Sequence, residues 1–113
     1  MKQQIVNILG AEWTIISATE EEDKSLKDMD GYTDKTIREI VVLAEARDGG
    51  NTVRNFEEYR KCVVRHEIIH AFLFESGLHE CWDHRVGHDE TYIDWIAAQF
   101  PKLQKVFQEA DAL

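Results

Sequence analysis

The chain has 113 residues, with 13 Lys and Arg against 22 Asp and Glu and a formal net charge of −9. That length suits one domain with one modest core, residues 1–113, and the charge provides no basic stripe to neutralise phosphates, which argues against a general nucleic-acid binder. No apolar run approaches membrane-spanning length, no basic-then-apolar leader opens the chain, and Cys62 and Cys81 are the only cysteines, so the expectation is a cytoplasmic protein with reduced thiols and no membrane partner.

Ile5 to Leu9 and Trp13 to Ser17 are short runs rich in β-branched residues, and Gly10-Ala11-Glu12 between them reads as the turn of a hairpin. Thr19 to Asp30 is strongly charged, with Leu26 and Met29 its only large apolar residues, and reads as a loop or a short surface helix. Asp30-Gly31-Tyr32-Thr33-Asp34 carries turn chemistry. Thr36 to Leu43 then gives the strongest strand signal, either a central core strand or an edge able to hold an extended substrate by main-chain pairing.

After a break at Asp48-Gly49-Gly50-Asn51 the principal helix begins. Asn55 is its N-cap, with Glu58 three residues on, and Glu57 and Glu58 suit the positive end of the helix dipole. Tyr59, Val63, His66, His70 and Leu73 recur at steps of three or four and define an inward stripe. Ser76-Gly77-Leu78 ends the helix, Gly77 being free to take the left-handed conformation. Leu78 to His88 is a loop holding His79, Glu80, Cys81, Trp82, Asp83 and His84. Helical periodicity resumes near Asp89, with Tyr92, Ile93, Ile96, Ala97 and Phe100 in register. Pro101 either kinks this helix or starts another, and Leu103, Val106, Phe107 and Ala110 form a last amphipathic segment. The expected fold class is α+β: a small N-terminal antiparallel sheet packed on one long helix and one or two C-terminal helices.

The long helix contains His66-Glu67-Ile68-Ile69-His70. On a helix, His66 and His70 project from one face and can grip one tetrahedral metal, with zinc favoured by donor type. Glu67 points about 100° away from His66, where it can take a proton from a water that the metal activates. A shuffled chain of this composition would show the motif about once in 40 trials, so the motif alone does not suffice. A catalytic zinc needs a third protein ligand. Glu90 is the candidate, with Asp94 one turn later placed to accept a hydrogen bond from a ligating imidazole. His84 or His88 would give an all-histidine site instead, and Cys81 a softer structural one. A spare loop histidine, Tyr92 or Tyr32 could donate to an oxyanion. Trp82, Trp95, Phe72 and Phe74 could flank a pocket, and Cys62 reads as a small buried residue.

His66-Glu67-x-x-His70, 19 intervening residues and Glu90-x-x-x-Asp94 together resemble the thermolysin-like, glutamate-ligand branch of the zincin metallopeptidases. That resemblance implies zinc on His66, His70 and Glu90, Glu67 as general base and acid, Asp94 as a partner of a ligand, and a peptide or protein substrate. The metzincin pattern does not fit, since Leu73 and Ser76 stand where it has glycine and histidine. Over nearly its whole length the chain is similar to small phage- and prophage-encoded proteins regarded as zinc metallopeptidases. The carrying stretches are Asn7-Ile8-Leu9-Gly10, Asp30 to Asp34, Arg65 to Leu78, and Glu90 to Pro101. Asp89 stands where thermolysin relatives often have Asn, and their substrate-strand signature is missing. A reading from another class keeps the same fold without catalysis, as a metal-binding interaction or regulatory protein.

Overall fold

Lys2–Ile8 (β1) and Ala11–Ala18 (β2) pair antiparallel with Ile8 opposite Ala11. The turn between them is Leu9-Gly10 and not Gly10-Ala11-Glu12, since Ala11 and Glu12 already belong to β2. Both residues have positive φ, 53° and 91°, the handedness that a two-residue hairpin requires. Gly10 takes it without a Cβ penalty, and its N–H donates to Asn7 Oδ1 at 2.9 Å. These elements belong to a computed structural model that describes residues 1–47, 53–78, 88–111 and 113.

Beyond β2 the charged stretch 19–30 does more than connect. It contains a 3₁₀ turn, Lys24–Lys27, whose cap Asp23 accepts from the Ser25 N–H at 3.0 Å. Leu26 in that turn is wholly buried, packed with Ile16, Ala18, Val41 and Leu43. The chain then enters the sheet at its far edge as Gly31–Asp34 (β3) and returns as Glu39–Leu43 (β4), giving the order β1-β2-β4-β3. The segment read as a turn is thus a strand. Direction reverses twice between β2 and β4, so β4 lies parallel to β2, with Ile15 opposite Ile40 and Ser17 opposite Val42. The sheet is therefore mixed and not antiparallel throughout; only its two outer pairs are antiparallel.

Phe56–Glu75 (α1) starts at Asn55, whose side chain accepts from the Glu58 N–H at 3.3 Å, and ends at Ser76 with Gly77 at φ 75°. Its sheet-facing stripe is Val63, Val64, Ile68 and Ala71, set against Ile8, Trp13, Ile15, Ile40 and Val42. Burial of each large side chain in this layer contributes about 1.5–3 kcal/mol. The far end of α1 is pinned by Glu75, whose Oε1 accepts from Trp13 Nε1 at 2.8 Å and from Arg38. Glu90–Glu109 (α2) is capped by Asp89, which accepts from the N–H groups of Thr91 at 2.9 Å and Tyr92 at 3.2 Å. It packs on α1 with Ile93 and Ala97 buried, and runs unbroken through Pro101. The architecture is a small α+β domain: four strands, α1 across one sheet face, and α2 on α1. Among the described residues no helix is long and apolar enough to cross a membrane.

Candidate metal centre

The sheet-facing stripe of α1 fixes where its histidines go. Because Val63, Val64 and Ile68 take the sheet, His66 and His70 lie to one side, half-buried, in the seam between α1 and α2. The inward stripe therefore divides, with Val63 toward the sheet and the two histidines toward α2. Their Nε2 atoms are 3.2 Å apart. Glu90, at the first position of α2, bridges them, with Oε2 3.1 Å from His66 Nε2 and Oε1 3.1 Å from His70 Nε2.

These separations fit a metal. Zinc bonds of about 2.05 Å arranged tetrahedrally put neighbouring donors about 3.3 Å apart. Among the described residues, one group of His, Cys, Asp or Glu side chains brings its donor atoms close enough to share an ion, and it consists of His66, His70 and Glu90. Two imidazoles and one carboxylate are a donor set that zinc accepts with one position left for water or substrate.

The far nitrogens of both rings are also held. Asp94, one turn beyond Glu90, places Oδ1 2.7 Å from His66 Nδ1, so Nδ1–H donates to the carboxylate and Nε2 presents its lone pair to the donor cluster. His70 Nδ1 faces His88 Nδ1 at 2.9 Å, and the two rings stack with centroids 5.1 Å apart. The tautomer with the proton on His70 Nδ1 donates to His88 there and leaves His70 Nε2 with its lone pair toward the donor cluster. His88 is therefore placed behind a ligand and outside the donor cluster. Phe74 lies against its ring at 4.6 Å, and Lys35 Nζ sits 5.2 Å from the Phe74 centroid. His84, Cys81 and Trp82 fall outside the described residues. Burial pushes the His70 imidazole pKa down, partly offset by Glu90, a direction that favours the neutral ring a metal ligand needs.

Glu67 points from α1 toward the sheet edge. Among the described residues it is the one buried charged side chain, 7% exposed, and a buried carboxylate without compensation is costly. Thr33 on β3 provides it: the hydroxyl lies 2.8 Å from Glu67 Oε1 and 3.1 Å from the Glu67 carbonyl oxygen. Oε2 is left on the other side, 3.9 Å from His66 Nε2. Burial raises the Glu67 carboxyl pKa and the Thr33 hydrogen bond opposes that rise. Gly31 makes the approach possible. A Cβ at Gly31 would stand 3.0 Å from Val63 Cγ1, 3.1 Å from the Val41 carbonyl oxygen and 3.4 Å from Glu67 Cγ.

Beside Glu67 and His66 opens a cavity of about 270 Å³ whose walls include Gly31, Tyr59, Cys62 and Asp94. Cys62 is half-buried at its wall and not sealed in the core. Of the suggested oxyanion donors, Tyr32 does not reach the site, since its hydroxyl donates to Asp23 and its ring packs with the Leu26 cluster. Tyr92 is on the exposed side of α2, as is Trp95. Phe72 is also exposed. Thr33 and the placement of His88 were not visible beforehand: Thr33 sits in a stretch with turn chemistry, and nothing local ties it to a glutamate 34 residues away. Compared with protein-family models, curated proteins and solved structures, the chain matches none.

Proposed function

We propose that the chain is a zinc-dependent metallopeptidase, in line with the zincin resemblance of its sequence. The observation that carries this reading is the convergence of His66 Nε2, His70 Nε2 and the Glu90 carboxylate at 3.1–3.2 Å, with the buried Glu67 carboxylate beside them. A zinc ion held by His66, His70 and Glu90 supplies Lewis acidity toward a peptide carbonyl and lowers the pKa of a water molecule. Glu67 is the proton carrier. Thr33 holds Oε1, so Oε2 accepts the proton of the attacking water and later returns it to the leaving nitrogen. Burial makes that carboxylate a stronger base than an exposed one. Asp94 and His88 fix the orientation and tautomers of the two imidazoles.

The test is hydrolysis of a mixed peptide library by zinc-loaded protein, read by mass spectrometry, alongside Glu67→Gln. The amide keeps the shape and takes no proton. Cleavage by the wild type that is lost in Glu67→Gln, with zinc retained, supports the proposal. Cleavage that persists in the variant contradicts the assigned mechanism. Zinc binding without cleavage would leave a metal-binding interaction protein.

A further inference from the structure

We propose that the cleft between the N-terminal half of α1 and the β1–β2 corner docks an extended acidic polypeptide segment. This inference is independent of the metal centre. The cleft has a volume of about 580 Å³, within the range of formed binding sites. On the sheet side it is walled by Lys2, Gln4 and Ser17. Alternation along β1 puts Lys2 and Gln4 on the same face as Val6 and Ile8, and Lys2 is opposite Ser17 in the register. That face is apolar where α1 covers it. At this corner it turns polar and the helix leaves it open.

The helix side contributes Arg60, Lys61 and Arg65. Four of the 13 Lys and Arg residues thus line one cleft, and none of the 22 Asp and Glu is among its described lining residues. In a chain of net charge −9, this concentration of cations sets a local potential opposite to that of the whole, which selects an anionic partner. The adjacent carboxylates include Glu22, held by the N-terminal ammonium at 3.1 Å, and on the helix Glu57, 3.0 Å from Arg60, and Glu58, 3.4 Å from Lys61. The two helix contacts are pairs along its exposed surface, which contribute little and exchange readily for carboxylates of a partner.

The lining also discriminates between anions. No aromatic side chain is among the described lining residues, so the cleft has no platform for stacking nucleic-acid bases. Ile15 and Val64 instead give it an apolar floor suited to one aliphatic side chain between acidic neighbours. β1 is the terminal strand of the sheet, and its outer edge offers main-chain groups to an extended chain.

The experiment is an amide NMR titration of the full chain with a short acetylated poly-glutamate peptide carrying one leucine, and separately with an oligo-thymidine strand. Expected are shifts confined to the amides of Lys2 to Gln4, Ile15 to Ser17 and Arg60 to Arg65. Binding should weaken at least about tenfold in Lys2→Glu combined with Lys61→Glu. It should be unchanged in Lys102→Glu combined with Lys105→Glu, which alters net charge equally on α2. Both pairs are exposed, so neither change threatens the fold. Absent or dispersed shifts, equal weakening by the two pairs, or tighter binding of the oligo-thymidine would each overturn the proposal.

Discussion

Arg65 Nε donates to the Ala97 carbonyl oxygen at 2.5 Å, and that carbonyl is the one Pro101 leaves without its helical donor. Residue 101 would normally supply an N–H to the carbonyl four positions back, and proline has none. The residue beside His66 on α1 therefore completes the backbone of α2 in the turn after Asp94. This ties the helix that carries Glu90 to the helix that carries the histidines.

A double-mutant cycle tests that coupling. Arg65→Met should destabilise the fold by about 1–3 kcal/mol, the cost of orphaning a buried acceptor. In a Pro101→Ala background the alanine N–H restores the helical bond, and the cost of Arg65→Met should fall by about 1 kcal/mol. Denaturant unfolding of the four proteins measures it; additive costs would mean that Arg65 and Pro101 act separately.

Thr33 is expected to act on the proposed reaction through Glu67. Thr33→Val keeps the side-chain shape and removes the hydroxyl that donates to Glu67 Oε1. Zinc content and KM should hold while kcat falls about 10–100-fold, and Thr33→Ser should recover most of the loss. A change in KM alone, or no rescue by serine, would count against a positioning role.

What the residues foretold and what they did not divide along local and non-local lines. The cap at Asn55, the left-handed stop at Gly77 and the i, i+4 histidines are encoded within one or two turns, and each appears where its chemistry puts it. The spacing of Glu90 and Asp94 was also readable, because one helical turn puts both on the same side of a second helix. The mixed sheet was not. Gly31-Tyr32-Thr33-Asp34 has too few alternating apolar residues to signal a strand, and it becomes one because β4 pairs with it and α1 covers it. Leu26 looked like a lone apolar residue in a charged loop, and only the sheet face beneath it explains its burial. His66 and His70 were read only as facing inward, because stripe analysis cannot separate a sheet-facing side from an adjoining helix-facing one. The donor that reaches the Ala97 carbonyl freed by Pro101 likewise lies far away in sequence, on Arg65, 36 residues before the proline.

Gly31→Ala should be costly although its backbone is not in the left-handed region. The added methyl would meet Val63 Cγ1 at 3.0 Å and the Val41 carbonyl oxygen at 3.1 Å, and the backbone oxygen cannot rotate away. A loss of about 1–3 kcal/mol is expected in denaturant unfolding. Wild-type stability in this variant would show that α1 and β3 are less tightly apposed.

Stability should depend on pH at both extremes through one contact, that of Asp30 with Tyr59. Burial works against the Asp30 carboxylate, but hydrogen bonds from Tyr59 and Arg47 outweigh it and hold the pKa below the ordinary 3.8. The stability this contributes is present above the unfolded value of 3.8 and is lost as pH falls below it through the lowered one. Tyr59 moves the other way: burial and the bond to Asp30 push it from 10.0 up to about 12. Its contribution is complete below pH 10 and is lost as pH rises through about 12. Urea midpoints across the range should fall less at acid pH in Asp30→Asn and less at alkaline pH in Tyr59→Phe than in the wild type. Profiles parallel to wild type would remove this pair as the cause.

The central claim is that His66, His70 and Glu90 form one zinc site, and the most direct measurement is zinc content by elemental mass spectrometry after purification without chelator or metal-affinity resin. The expected result is about one zinc per chain, absent in His66→Ala and Glu90→Ala, with affinity reduced about 10–100-fold but not abolished in His88→Ala and Asp94→Ala. A wild-type protein that takes up no zinc on loading, or a Glu90→Ala variant that keeps it at full affinity, would contradict the account.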